Sequence, residues 1–154
     1  MSYLLDTNVL LRLAQPDHPM HSSAVSAIAL LRQQQRSLCI VPQNILEFWT
    51  VATRPLNVNG LGMSILTASQ EVAQIKEFFP LQPDTPEIFS IWEQLVVQYQ
   101  VMGKQAHDTR LVAAMIVYQV THLLTFNTDD FKRFTEITAI DPREIFMQGT
   151  LNQG

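Results

Sequence analysis

The sequence is short of several things, and each shortage excludes a class of protein. One cysteine in 154 residues rules out an internal disulfide, and Cys39, within the apolar run Leu38-Cys39-Ile40-Val41, reads as a buried strand thiol. Long apolar runs are missing too: Tyr3-Leu4-Leu5 is cut by Asp6, and nothing approaches the roughly 20 residues that a bilayer-spanning helix needs. No Lys or Arg stands near the N-terminus, and Asp6 falls where the apolar core of a signal peptide would run, so the expected location is the cytoplasm. Positive charge is scarce, with 10 Lys and Arg against 14 Asp and Glu and a formal net charge of −4. A chain of this sign does not hold nucleic acid by bulk electrostatics, so any attraction to a polyanion must be local. The surplus of carboxylates raises the question of a cation site.

What is present describes a globular domain. The length suits one domain, and 47% hydrophobic against 16% charged residues, with a mean hydropathy of +0.07, lies on the apolar side of average. Such a composition suits a chain that hides part of its surface in a partner. The segment Asn57–Gly62 holds two of the five glycines, but it is short and not of low complexity, so it reads as an ordered loop and not as a linker. A single domain over residues 1–146 with a tail at 147–154 is expected.

Hydrophobic spacing places the elements. Residues 3–5 read as a buried strand, followed by a helix from about Val9 to Ala14. Ala24, Ala27, Ile28 and Leu31 mark an amphipathic helix from Ser22 to about Gln35. A second strand at Leu38–Val41 leads into a helix that Pro42 opens and Pro55 ends. Helices follow at about 64–79, from Pro86 to about Val101 with Gly103 as its stop, and at 107–119. Short strands are expected near 79–82, at 121–125 and at 137–140, with a helical turn at 129–134. Strands alternating with helices of this length predict an α/β fold around a mainly parallel sheet, whose chemistry gathers at the strands' carboxyl ends.

Acidic residues stand at those ends. Asp6 follows the first strand and either caps the next helix or faces a site. Glu47 interrupts a helix lined by Ile45, Leu46, Phe48, Trp49 and Val51, where a solvated outer face is the plain alternative. Asp108 precedes Leu111, Val112, Met115 and Ile116 by three, four, seven and eight residues, which puts it on their stripe. Its place near a helix N-terminus also suits a cap. Asn127, Asp129 and Asp130 follow the strand ending at Thr125, where turn chemistry alone explains any one of them. Together these acids can converge at one sheet edge. Carboxylates so close raise one another's pKa and persist mainly around a cation, and oxygen donors without a His or Cys set point to Mg²⁺ or Mn²⁺ over zinc. His18 and His21 lack metal-ligand spacing, and His107 points about 100° away from Asp108 around the helix.

The segments Leu4-Leu5-Asp6-Thr7-Asn8-Val9-Leu10, Asn44-Ile45-Leu46-Glu47-Phe48, His107-Asp108-Thr109-Arg110-Leu111 and Leu124-Thr125-Phe126-Asn127-Thr128-Asp129-Asp130-Phe131 resemble, in order, the motifs of PIN-domain ribonucleases. The loop from Arg54-Pro55 to Gly60-Leu61-Gly62 and the chain's size look most like the VapC-type toxins of type II toxin–antitoxin pairs. The resemblance implies a three-layer sandwich with a five-stranded parallel sheet between helices. It also implies Mg²⁺- or Mn²⁺-dependent hydrolysis of RNA to 5′-phosphate and 3′-hydroxyl ends, a cognate antitoxin and a homodimer. By that resemblance Asp6, Glu47, Asp108 and Asp130 form the catalytic and metal-binding set, with Asp129 and Asn127 as rivals for the fourth place. Thr7, Asn8, Thr125 and Asn127 would support the site, and Arg12, Arg54, Lys104 and Arg110 would meet the RNA backbone. Two rivals remain. One is a phosphoryl-transfer enzyme with an Asp after its first strand, disfavoured because Asp6-Thr7-Asn8 lacks the expected second acid. The other is a PIN-like binding module without catalysis.

Overall fold

Four short parallel strands carry the molecule. The computed structural model describes residues 1–145, so the expected tail at 147–154 lies outside the described residues. Strand β1 (Ser2–Leu5) is central, flanked by β2 (Ser37–Cys39) and β3 (His122–Leu124), with β4 (Thr138–Ile140) beyond β3. Every pairing is parallel, and Leu4 lies in register with Cys39 on one side and Leu123 on the other. Among the described residues these strands are connected or followed by α1 (Thr7–Leu13), α2 (His21–Gln33), α3 (Pro42–Thr53), α4 (Ile65–Phe78), α5 (Pro86–Gln98) and α6 (Gln105–Val117). Single 3-10 turns occupy Leu56–Val58 and Thr128–Phe131.

The period of two along each strand divides the core. Tyr3, Leu5, Leu38, Ile40 and Leu124 pack with α1 to α4 on one face. Leu4, Cys39, Val41 and Leu123 pack with α5 and α6 on the other. Both faces are covered, as a parallel sheet requires, and the layering is the three-layer sandwich expected. Cys39 is buried as anticipated.

The sheet has four strands where five were expected. Where a strand was expected near 79–82 the contact shrinks to one parallel bridge between Ile40 and Leu81, held by Ile40 N–H to the Pro80 carbonyl (3.0 Å) and Gln82 N–H to the Ile40 carbonyl (2.8 Å). Pro80, whose backbone faces Ile40, has no N–H to extend the ladder, and on the other strand Pro42 begins α3 two residues after Ile40. A second difference concerns α5, which ends at Gln98 and not near Val101; Gln100 takes up the left-handed conformation (φ 53°), and Gly103 (φ 64°) serves the next turn. Among the described residues no helix is long and apolar enough to cross a membrane.

One loop matters for the site. After α3 the chain returns so that Leu61, Gly62 and Met63 donate N–H bonds to the carbonyls of Val51, Arg54 and Ala52, at 2.8–3.0 Å. Gly60 permits this return: a Cβ there would stand 1.9 Å from the Arg54 carbonyl oxygen. The loop thereby fixes Arg54 at the end of α3.

Candidate active site

Each acid is delivered by a different segment. Asp6 follows β1 in extended conformation and caps α1, its Oδ1 accepting from Thr7 N–H at 2.8 Å. The Thr125 hydroxyl, just past β3, donates to its Oδ2 at 2.7 Å. Asn8 secures the same junction: its amide donates to Thr125 Oγ1 (3.1 Å) and to Asp6 Oδ2 (3.4 Å), and its carbonyl accepts from Phe126 N–H (3.1 Å). Asn8 is thus a clamp between the ends of β1 and β3, and Asp6 alone supplies the cap.

Helix α3 presents Glu47. Pro42 occupies its first turn, and the fully buried Asn44 accepts from Val41 N–H at 2.9 Å, closing the helix start. The Glu47 carboxylate is half-buried and held at both oxygens, Oε2 by the Thr7 hydroxyl (2.7 Å) and Oε1 by the Gln43 amide (2.8 Å). This is not the solvated outer face that the helix pattern allowed. Asp108 lies in the first turn of α6, half-buried, and takes no part in a cap, since the capping position is Lys104 and makes no side-chain bond to the helix. Leu111, Val112 and Met115 on its stripe are buried, whereas Ile116 is only partly so.

Asp6, Glu47, Asp108 and Asp130 all line one cleft of about 720 Å³ at the carboxyl ends of the strands, together with Thr7, Asn8 and Asn127. Asp129 does not line this cleft, although its neighbours Asn127 and Asp130 do, and it pairs with Lys132 at 2.6 Å. Thr125 contributes from beneath through Asp6 and through the N–H of Asn127 (3.0 Å). Of the four basic candidates, Arg54 and Lys104 line the cleft. Arg12 and Arg110 do not: Arg12 donates to Gln15 (2.6 Å), and Arg110 pairs with Asp84 (3.2 Å). His107 offers the site its backbone carbonyl, which accepts from Gln43 at 2.7 Å.

The electrostatics are those of crowded anions. Burial pushes the Asp6 carboxyl up to about 7, against the opposing bonds from Thr125 and Thr7, and Glu47 and Asp108 add to the rise. Asp108 is pushed up to about 6, first by burial and then by Asp130 and Glu47, with Lys104 opposing. Among the described residues no three His, Cys, Asp or Glu side chains stand close enough to ligate one ion together. The carboxylate, hydroxyl and amide oxygens that line the cleft are donors of the type Mg²⁺ takes, and such an ion would be held by one or two carboxylates with several waters.

Gln43 is the site residue that sequence reasoning missed. It is 6% exposed and contacts Glu47, the His107 carbonyl and Arg110. Its position one helical turn before Glu47 was the available signal.

Fold and site together define a three-layer α/β protein with an oxygen-lined acidic cleft at the carboxyl edge of a parallel sheet. Residues 3–137 match the PIN domain family, and the chain belongs to it. No curated protein matches the sequence. Solved structures with the same fold include a chain of VapBC2 from Rickettsia felis bound to a DNA fragment from its promoter, at 14% identity and a TM-score of 0.72, covering 92% of this chain and 98% of that one. A toxin–antitoxin complex from Klebsiella pneumoniae gives 18% identity, a TM-score of 0.64, and coverage of 91% and 97%. The sarcin–ricin-loop-cleaving toxin VapC20 from Mycobacterium tuberculosis gives 18% identity, a TM-score of 0.63, and coverage of 88% and 98%. Membership in the PIN family removes the phosphoryl-transfer alternative, whose receiver-type members share a sheet order of this kind.

Proposed function

We propose that this chain is a divalent-metal-dependent ribonuclease and the toxin of a type II toxin–antitoxin pair. The observation that carries the reading is the meeting of Asp6, Glu47, Asp108 and Asp130, from four separate segments, in one cleft where burial and mutual repulsion raise the pKa of two of them. Anions so arranged destabilise the empty fold and favour a cation. Asp6 and Asp108 would hold Mg²⁺ or Mn²⁺, directly or through water, with Asp130 and Asn127 completing the shell. Such an ion, when bound, lowers the pKa of water and offsets charge on the phosphate.

The chain's own residues divide the remaining work. Glu47, fixed at both oxygens by Thr7 and Gln43, orients the attacking water and accepts its proton. Asn8 and Thr125 hold Asp6 in place, so that the carboxylate need not reorganise during reaction. Arg54 and Lys104, at the rim of an otherwise acidic cleft, meet the phosphates that a chain of net charge −4 cannot attract in bulk. Attack by water, without a protein nucleophile, forms the new P–O bond while the P–O3′ bond breaks, and the departing 3′-oxygen takes up a proton, leaving 5′-phosphate and 3′-hydroxyl ends.

The toxin part of the reading draws on the neighbours of the same fold, which include a toxin–antitoxin complex and a sarcin–ricin-loop-cleaving toxin. A cognate antitoxin, a homodimer and action in the cytoplasm follow from that reading. The test is incubation of the purified protein with RNA in Mg²⁺, in Mn²⁺ and in EDTA. Cleavage only with a divalent ion is expected. Intact RNA under all three conditions would favour a binding module that keeps the acids without catalysis.

A further inference from the structure

Glu47 and Asp108 come from helices that belong to different apolar cores: Phe48 and Ala52 anchor α3 on one face of the sheet, while Leu111, Val112 and Met115 anchor α6 on the other. Something must set the spacing of the two acids across the sheet's edge, and one side chain spans the gap. The Gln43 amide nitrogen donates to Glu47 Oε1 at 2.8 Å and to the carbonyl of His107, the residue before Asp108, at 2.7 Å. Its oxygen accepts from Arg110 Nη1 at 3.4 Å, and Arg110 is in turn paired with Asp84 at 3.2 Å. The orientation of this amide is chemically forced. A guanidinium only donates, so it demands the amide oxygen; a carboxylate and a carbonyl only accept, so they demand the nitrogen.

We infer that Gln43 is a positioning residue for the reaction, a buried strut that orients the Glu47 carboxylate and ties it to the helix carrying Asp108. Arg110 serves this strut by holding the amide the right way round, and not by meeting RNA. The inference rests on the ribonuclease reading for its kinetic part and on geometry alone for its structural part. Replacement of Gln43 by an apolar residue leaves Glu47 Oε1 and the His107 carbonyl without their donor, while Thr7 still holds the other carboxylate oxygen. Glu47 then pivots about one contact, and a misplacement of about 1 Å at a reacting group costs on the order of 100-fold in rate.

The test compares wild type with Gln43→Leu and Gln43→Glu, which both remove the N–H donors; the second keeps the side chain's size and its acceptor for Arg110, and decides the matter should the first fail to fold. The expected result is a fall in kcat of about 10- to 100-fold with KM for RNA within about twofold. Combined with Glu47→Ala, either change should lower kcat no further, since a strut acting through Glu47 has nothing left to position. A kcat within twofold of wild type, or losses that multiply in the double variant, would overturn the inference. Independently of activity, NMR of the Gln43 side chain should show both amide protons protected from solvent exchange, with one losing protection in Glu47→Ala. Two freely exchanging protons in wild type would overturn the strut even in an active enzyme, whereas a wild type that cleaves no RNA would overturn the ribonuclease reading and leave the strut to the NMR result.

Discussion

Replacing Asp6 by Asn should change how the protein's stability depends on pH, by an amount the site itself sets. Asp6 is 7% exposed, and its carboxyl is raised from 3.8 in the unfolded chain to about 7 in the fold, chiefly by burial. Because the folded pKa is the higher one, the folded chain keeps a proton that the unfolded chain has lost, and stability falls as pH rises from about 4 to about 7. At about 1.36 kcal/mol per pH unit, the full effect is about 4 kcal/mol, or on the order of 10 °C in melting temperature for a chain of this length. Asn does not titrate. It keeps the contact with Thr7 N–H, but its amide would face Thr125 Oγ1, which already accepts from Asn8 and Asn127. That loss costs about 1–3 kcal/mol and is the same at every pH. The difference between the two proteins, measured by thermal and urea unfolding in EDTA from pH 4.5 to 8.5, should therefore tilt by about 3 kcal/mol in favour of Asn as pH rises, the remainder lying below that range. Saturating Mg²⁺ at pH 8 should restore the wild type and leave the variant little changed. A difference that stays constant across the pH range would refute the picture of Asp6 as a buried, repelled anion.

Asn caps a helix as well as Asp does, and α6 has no side-chain cap to lose, so Asp108→Asn should melt no lower than wild type in EDTA at pH 8 while losing at least about 100-fold in cleavage rate. Melting curves and kcat measured side by side check both halves. Gly60→Ala drives a methyl into the Arg54 carbonyl and should lower stability by about 1–3 kcal/mol in urea titrations. Arg54→Ala and Lys104→Ala should raise KM for RNA and each reduce the salt dependence of binding by about one charge, readable from filter binding at several salt concentrations, whereas Arg12→Ala, outside the cleft, should leave that slope unchanged.

Much of this architecture was legible because periodicity carries it. The alternation of Tyr3, Leu4 and Leu5 between two cores, and the 3–4 spacing of Ala24, Ala27, Ile28 and Leu31, follow from side-chain geometry that a sequence shows directly. The strand expected near Leu81 was not, because an apolar stretch says nothing about whether its backbone can donate, and Pro80, facing Ile40, cannot. The acids were legible through their incongruity: Asp6 after a buried strand and Glu47 in an apolar helix. Whether Asp129 or Asp130 faces the cleft was not, since adjacent residues in a 3-10 turn differ only in where the turn points them. Gln43 and Arg110 show the same limit in another form. Partners 67 residues apart meet across the sheet's edge, and no local pattern in either helix announces the contact.

The claim that the carboxylate cluster activates water for attack on RNA predicts the chemistry of the product ends. An RNA of defined sequence, labelled separately at each terminus, should be cut by the wild-type protein in Mg²⁺ or Mn²⁺ to fragments bearing 5′-phosphate and 3′-hydroxyl groups, with EDTA suppressing the reaction. Fragments ending in 2′,3′-cyclic phosphate and 5′-hydroxyl, formed equally well in EDTA, would contradict it, because the 2′-hydroxyl and not a water positioned by Glu47 would then be the nucleophile.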